Sequence, residues 1–204
     1  MKEIGGEIVS QGNKIAVFID DDNISMNMKT ALPEKFSTEL GYKRFKDWLS
    51  SFGETALVFV FAPDNSALVK GEFFYKQGFI SVSCPILMDR EEMERREKSD
   101  FERMIQGETV EVESKNPPVI NTTDETMRKT AKIVIEHMSE ITHICIASGD
   151  ADFIPIVTAA KAKGKKVMIM ISGLRSSSKN LLKKANRDER GKKMIHLFNP
   201  IRDS

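Results

Sequence analysis

The sequence predicts an α/β fold of three layers, α/β/α, in which helices cover both faces of a mostly parallel central sheet of five to six strands. Three observations lead there. Short, continuously apolar runs such as KIAVFI, TALVFVF, THICIA and VMIMI are rich in β-branched residues, the pattern of strands buried on both faces. Between them lie stretches with apolar residues at helical spacing, several closed by glycine. With 204 residues, 40% of them hydrophobic, the chain is long enough to bury one core of ordinary size and short for two.

Residues 1–13 read as an N-terminal extension and 14–204 as a single domain. Lys14 to Ile19 is the first strand, and it runs into Asp20, Asp21, Asp22 and Asn23. From Leu40 to Phe52, the residues Phe45, Trp48, Leu49 and Phe52 recur at helical spacing and Gly53 follows as a stop. Thr55 to Phe61 is a second strand, closed by the turn signal APDN. A helix through FFYKQ stops at Gly78, and Phe79 to Leu87 makes a third strand. Asp89 to Ser114 breaks this rhythm, with ten acids against five bases. It reads as an exposed helical arm and a loop, so that 89–118, ending in KNPP, forms a charged insertion.

After a structureless KNPPVINTT, Thr122 or Thr123 caps a helix whose apolar stripe is Met127, Ala131, Val134, Ile135 and Met138. Thr142 to Ala147 is a fourth strand and ends in SGDADF. Phe153 to Lys163 follows as helix, with Pro155 in the first turn where a missing amide is harmless. Gly164 stops it, Val167 to Ile171 is a fifth strand, Ser176 to Ala185 a last helix and Met194 to Phe198 a short sixth strand.

Several function classes find no support. A formal net charge of +1 gives no global reason to expect a polyanionic partner. No run approaches the roughly 18 apolar residues of a membrane span, and residues 1–14 have no secretory pattern, so a cytoplasmic protein with no membrane partner is expected. Cys84 and Cys145 lie inside apolar runs without metal-ligand spacing and read as reduced core residues. His137, His143 and His196 do not cluster and read as structural or surface residues rather than catalytic bases.

Ligands of such sheets bind beyond the carboxyl ends of the strands. Two strands end in acid there: the first in Asp20, Asp21 and Asp22, the fourth in Ser148, Gly149, Asp150 and Asp152. If both strands are central and parallel, the carboxylates converge and repel, at a cost that rises steeply in a half-buried cleft. A cation relieves that cost, and oxygen-only ligands suit Mg²⁺ or Mn²⁺ better than zinc. Such ions activate water and neutralise phosphate oxygens in phosphodiester chemistry. Asp124, opening the helix before the fourth strand, is either a third ligand or ordinary first-turn dipole chemistry.

IDDDN, then TTDETMRKTAKIVIEHM, then IASGDADFIPIVTAAKAKGKKVMIM resemble the NYN domain family, of the LabA-like kind, within the PIN-like nuclease superfamily and its Rossmann-like fold. The likeness runs in order over roughly Lys14 to Phe198. It implies a ribonuclease in which Asp20, Asp124, Asp150 and Asp152 hold Mg²⁺ or Mn²⁺, Asn23 orients Asp20 or its loop, and Ser148 hydrogen-bonds within the cluster. Two positions depart from the family pattern. Asp21 stands where glycine is usual, adding a charge near the metal, and Thr130 stands where many members carry a further acid.

From Lys161 to Lys193 the chain carries twelve bases against two acids. These either track a nucleic-acid backbone or only solubilise two helices. Arg175, Lys179, Lys183 and Lys184 are the candidate RNA contacts, and SGLRSSSKN offers hydroxyls and helix-start amides to a phosphate. Phe36, Phe74 and Tyr75 read as core or groove-wall residues rather than stacking platforms. The 89–118 arm either gates the site or supports a homodimer.

Three other readings compete with a ribonuclease. A haloacid-dehalogenase-like phosphatase would use Asp20 and Asp22, yet Ile24 and GDAD fit its pattern poorly. A response-regulator receiver would leave SGDADF without a role. A non-catalytic RNA- or protein-binding module on the same fold would follow from a weakened metal site.

Overall fold

A computed structural model describes residues 12–26, 37–106, 119–174, 177–199 and 201. The strands are β1 (Lys14–Asp20), β2 (Glu54–Pro63), β3 (Ile80–Cys84), β4 (Ile86–Met88), β5 (Val119–Asn121), β6 (His143–Ala147), β7 (Lys166–Ile171) and β8 (Ile195–Leu197). The helices are α1 (Thr38–Ser50), α2 (Asp64–Lys76), α3 (Arg90–Ile105), α4 (Thr123–His137), α5 (Ile154–Ala162) and α6 (Lys179–Lys183). A wide helical turn, Asp22–Met26, follows β1, and a 3₁₀ turn, Ala151–Phe153, precedes α5.

Six strands form one sheet in the order β3-β2-β1-β6-β7-β8, and every pairing in it is parallel. The apolar runs owe their continuity to burial on both faces. Along β1 the alternate residues Ala16 and Phe18 face a core built with Met127, Ala131, Val157 and Leu181 from α4, α5 and α6. Ile15, Val17 and Ile19 face the opposite core, with Tyr42, Phe45, Leu49 and Phe74 from α1 and α2. Gly78 and Gly164 take φ near +75° and +73°, ending α2 and α5 in a conformation that side chains with a Cβ resist.

Several expectations need correction, and Phe36 lies outside the described residues. The third strand is not continuous through Leu87. Pro85 lacks an N–H, and the chain leaves the main sheet there. Ile86–Met88 then pairs antiparallel with Val119–Asn121, a strand where the sequence reads as structureless. Tyr75 is no core or wall residue: it is 81% exposed on the outer face of α2, while its neighbour Phe74 is fully buried. The last helix is also shorter than expected, because Ser178 caps it through the Leu181 N–H and its first residue is Lys179.

The charged arm is helical over Arg90–Ile105, capped by Asp89, and residues 107–118 lie outside the described set. Among the described residues no helix is long and apolar enough to cross a membrane.

Candidate metal centre

Strand order reverses between β1 and β6. From β1 the chain adds β2 and β3 on one side; from β6 it adds β7 and β8 on the other. Crossovers that leave in opposite directions open a crevice at the carboxyl ends of these two strands. Ile19 pairs with Ala147, so Asp20 and Ser148 come next to each other at that crevice.

Asp20 is 6% exposed. Its Oδ1 accepts the Asn23 N–H at 3.2 Å and its Oδ2 accepts the Ser148 hydroxyl at 3.1 Å. Asn23 Oδ1 in turn accepts the Gly149 N–H at 3.0 Å, which ties the turn after β1 to the loop after β6. Ser148 Oγ also accepts the Asp150 N–H at 3.2 Å, and Asp150 Oδ1 accepts the Asp152 N–H at 3.0 Å. The Asn23 backbone N–H and the Ser148 hydroxyl are thus the two donors on Asp20 among the described residues.

Asp124 arrives from a third element. Asn121 Oδ1 accepts both the N–H and the hydroxyl of Thr123, at 3.0 and 2.6 Å, and the Thr122 hydroxyl donates to the Pro85 carbonyl at 2.8 Å. These bonds aim the first turn of α4 at the crevice. Asp124, Asp150 and Asp152 each bring a carboxylate oxygen to a point where all three lie within 4.8 Å of one another. Asp20 lies outside that group of three but close enough for the Asp124 charge to act on it.

The electrostatics are those of charges held together against repulsion. Burial pushes the Asp20 carboxyl up to about 7; the Asn23 N–H and Ser148 hydroxyl oppose the shift, and the Asp124 and Asp22 charges add to it. Asp124 is raised by burial, then by Asp150 and Asp152, with Arg128 acting weakly the other way. Among the described residues none of these four aspartates forms an ion pair. Asp124, Asp150 and Asp152, with Asp20 beside them and only the Arg128 charge acting on Asp124 from among the described residues, form an oxygen-only donor set that fits a hard divalent ion. Thr130 adds nothing to it, since its hydroxyl is spent on the Thr126 carbonyl at 2.9 Å.

Asp21 has a different fate. It is fully buried and turned away from the crevice into the α1/α2 side, where it accepts the Tyr42 hydroxyl at 3.3 Å and pairs with the Lys70 ammonium. The charge that departs from the family glycine is therefore neutralised inside the fold. Asp22 is half-buried, not solvent-facing, and its carboxyl is raised by that burial and by the Asp21 charge.

Sequence reasoning missed Lys70 and Tyr42, and it did not see what the serines of SGLRSSSKN bond to within the fold. Ser172 donates to the Asn23 carbonyl at 3.2 Å, Ser177 to the Gly173 carbonyl at 2.6 Å, and Ser178 caps α6. The Ser178 N–H donates to the Gly149 carbonyl at 2.8 Å. The Ser172 hydroxyl thus ties the loop after β7 to the turn after β1, the Ser178 N–H ties it to the loop after β6, and the Ser177 hydroxyl closes the loop on itself. Gly149 is the tight point, since a Cβ there would lie 2.6 Å from Ser177 Oγ. Lys179 begins α6 just beyond this loop; Lys183 and Lys184 are exposed at its far end. Arg175 lies outside the described residues.

Comparison with known proteins agrees with this geometry. The crystal structure of a protein of unknown function from Vibrio parahaemolyticus RIMD 2210633 superposes with a TM-score of 0.60 at 15% identity, covering 98% of this chain and 97% of that one. That likeness shows the fold. The curated proteins contain no match. The NYN domain profile matches residues 14–188, the span that holds β1, the start of α4 and the SGDADF loop. The chain therefore belongs to the NYN domain family, and its three-layer α/β/α architecture is the PIN-like nuclease fold.

Proposed function

We propose that this protein is a metal-dependent ribonuclease that hydrolyses RNA phosphodiester bonds in the cytoplasm, with Mg²⁺ or Mn²⁺ at Asp20, Asp124, Asp150 and Asp152. The observation that carries this reading is the convergence of these carboxylates from three separate elements, with no ion pair to any of them among the described residues. Structural carboxylates are ordinarily paired, as Asp21 is. Perturbed acids gathered at a switch point mark a functional site.

A bound divalent ion supplies Lewis-acid chemistry, acidifying water and neutralising charge on phosphate oxygens. The chain supplies the rest. Asp124, Asp150 and Asp152 would hold the ion, with Asp20 contributing from just outside that group of three. Asn23 and Ser148 keep Asp20 aimed by their hydrogen bonds. Lys179, Lys183 and Lys184, with Arg175, draw the sugar-phosphate backbone across the crevice. No histidine is needed: His143 begins β6 at the opposite edge of the sheet, and His196 packs against Phe45 and Trp48 with its imidazole lowered to about 4 by burial.

The test is a panel of labelled RNA and single-stranded DNA with Mg²⁺, Mn²⁺ or EDTA, run beside Asp150→Asn. RNA cleavage that needs the metal and is lost in the variant supports the reading. Cleavage that is equal in both proteins and independent of metal points to contamination. Absence of cleavage, together with no effect of Mn²⁺ on thermal stability, would leave the same fold as a binding module.

A further inference from the structure

The twelve bases between Lys161 and Lys193 are one run in sequence but not one surface in space. Lys161 and Lys163 end α5, and Lys166 opens β7, all at the amino edge of the sheet. The chain then crosses to the carboxyl edge and back. Asn186 Oδ1 accepts the Val167 N–H at 3.0 Å, so by residue 186 it has returned to the start of β7. The turn between the bridged residues Arg187 and Lys193 therefore also sits at the amino edge. The two edges are about 20 Å apart, the length of a six-residue strand.

At that far edge the bases converge. Lys193 feels the charges of Arg187, Lys161 and Lys183, and its own ammonium is occupied by the Leu182 and Lys183 carbonyls at 3.0 and 2.7 Å. Beside them is a cavity of about 300 Å³, the lower end of the range for small-molecule sites. Asn13, His143, Lys166 and Arg190 line it. Asp188 and Glu189 line it too and balance Lys166 and Arg190; Asp188 Oδ1 accepts the Arg190 and Lys192 backbone N–H groups at 3.0 and 2.8 Å. The positive excess of this edge lies in Lys161, Arg187 and the other bases around the cavity. Between the two edges, Lys179, Lys183 and Lys184 are exposed along and just after α6.

We propose that this amino-edge surface, made by Lys161, Lys166, Arg187 and Arg190, is a second phosphate-binding surface that holds RNA leaving the carboxylate crevice by way of α6. The proposal rests on the RNA-directed reading above and extends it to the path of the strand. A nucleic acid fits better than a compact anion because exposed lysines, Lys179, Lys183 and Lys184, stand between the two edges. They present point charges with little aromatic surface, which suits a repeating backbone.

The experiment measures binding in EDTA, so that cleavage does not intervene. Fluorescence anisotropy is recorded against salt for a long labelled RNA of about 20 nucleotides and a short one of about 5. The proteins are the wild type and the triple variant Lys161→Ser, Lys166→Ser and Arg190→Ser. All three side chains are exposed and none makes a side-chain hydrogen bond among the described residues, so a thermal melt should match the wild type.

For long RNA, each lost contact removes about 0.7 from the salt slope, so the triple variant should lose about two and weaken tenfold or more near 0.1 M salt. The short RNA should bind both proteins alike. Equal slopes and affinities for long RNA would overturn the proposal, as would wild-type protein that binds no RNA. A loss confined to polyglutamate, with RNA unaffected, would overturn it in favour of an acidic protein partner. RNA held with the expected slope but never cleaved with Mn²⁺ present would sink the ribonuclease reading and leave this surface standing.

Discussion

Asp20 and Asp21 are adjacent, both buried, and resolve burial in opposite ways. Asp21 turns to the α1/α2 side and finds a lysine and a tyrosine hydroxyl. Asp20 turns to the crevice and finds a backbone N–H, a serine hydroxyl and other carboxylates. The first is a closed account, a buried charge neutralised within the protein. The second is left unneutralised, and its acid range near 7 records how poorly the folded chain solvates that charge. A carboxylate kept in that condition favours an external cation, whereas a paired one does not.

The largest effect that tests this contrast is on activity. Asp20→Asn and Asp150→Asn should each reduce metal-dependent RNA cleavage by a hundredfold or more, read from initial rates, and should abolish the stabilisation by Mn²⁺. Asp21→Asn should retain the Mn²⁺ response. If it lost that response as completely as Asp20→Asn, Asp21 would belong to the metal site and the contrast would be wrong.

Next comes the paired side. Lys70→Met removes the Lys70 ammonium from the buried Asp21 carboxylate and should cost about 3 kcal/mol in urea unfolding. A double variant, Lys70→Met with Asp21→Asn, should recover much of that loss, and a double variant no better than the single would show that the pair is not what is being broken.

Stability against pH sharpens the unpaired side. The Asp20 carboxyl is raised in the folded state, so between about pH 4 and about pH 7 the folded protein binds more protons than the unfolded one. Its contribution is fully present below the unfolded value and is lost as pH rises through the folded one. Metal-free protein should thus lose stability across that window, Asp124 adding in the same direction, and saturating Mn²⁺ should flatten the fall. Asp20→Asn, inactive, should melt a few degrees higher than wild type at pH 8 without metal. A metal-free profile that rises from pH 4 to 7 would contradict the sign.

The smallest effect concerns the rivets between loops. Gly149→Ala places a Cβ 2.6 Å from Ser177 Oγ, so the loop after β7 must shift. We expect about 1 kcal/mol of stability lost and roughly tenfold of activity, read by urea melts and RNA cleavage.

The parts of this molecule that were legible in the sequence are those whose physics is local. β1, β2, β6 and β7 show as unbroken apolar runs because both faces are buried, and the acids at the ends of β1 and β6 follow from where those runs stop. Asp21 was not legible because its partner Lys70 lies 49 residues away on another helix. Val119–Asn121 was missed because a three-residue strand after KNPP has no periodicity to read. The basic run misled in a similar way, since counting charge along the chain cannot show that β7 and α6 carry its ends to the far edge of the sheet.

The short ribbon of β4 and β5 has a consequence for how this fold can vary. Ile86, Leu87 and Met88 pair with Asn121, Ile120 and Val119, and the Thr122 hydroxyl is fastened to the Pro85 carbonyl. Whatever chain is inserted between Met88 and Val119 has its ends already brought together by that clasp, and the entropy of closing a loop grows only slowly with its length. The arm can therefore lengthen, shorten or change composition over evolution, or be replaced by a short turn, while Asp124 keeps its place at the crevice.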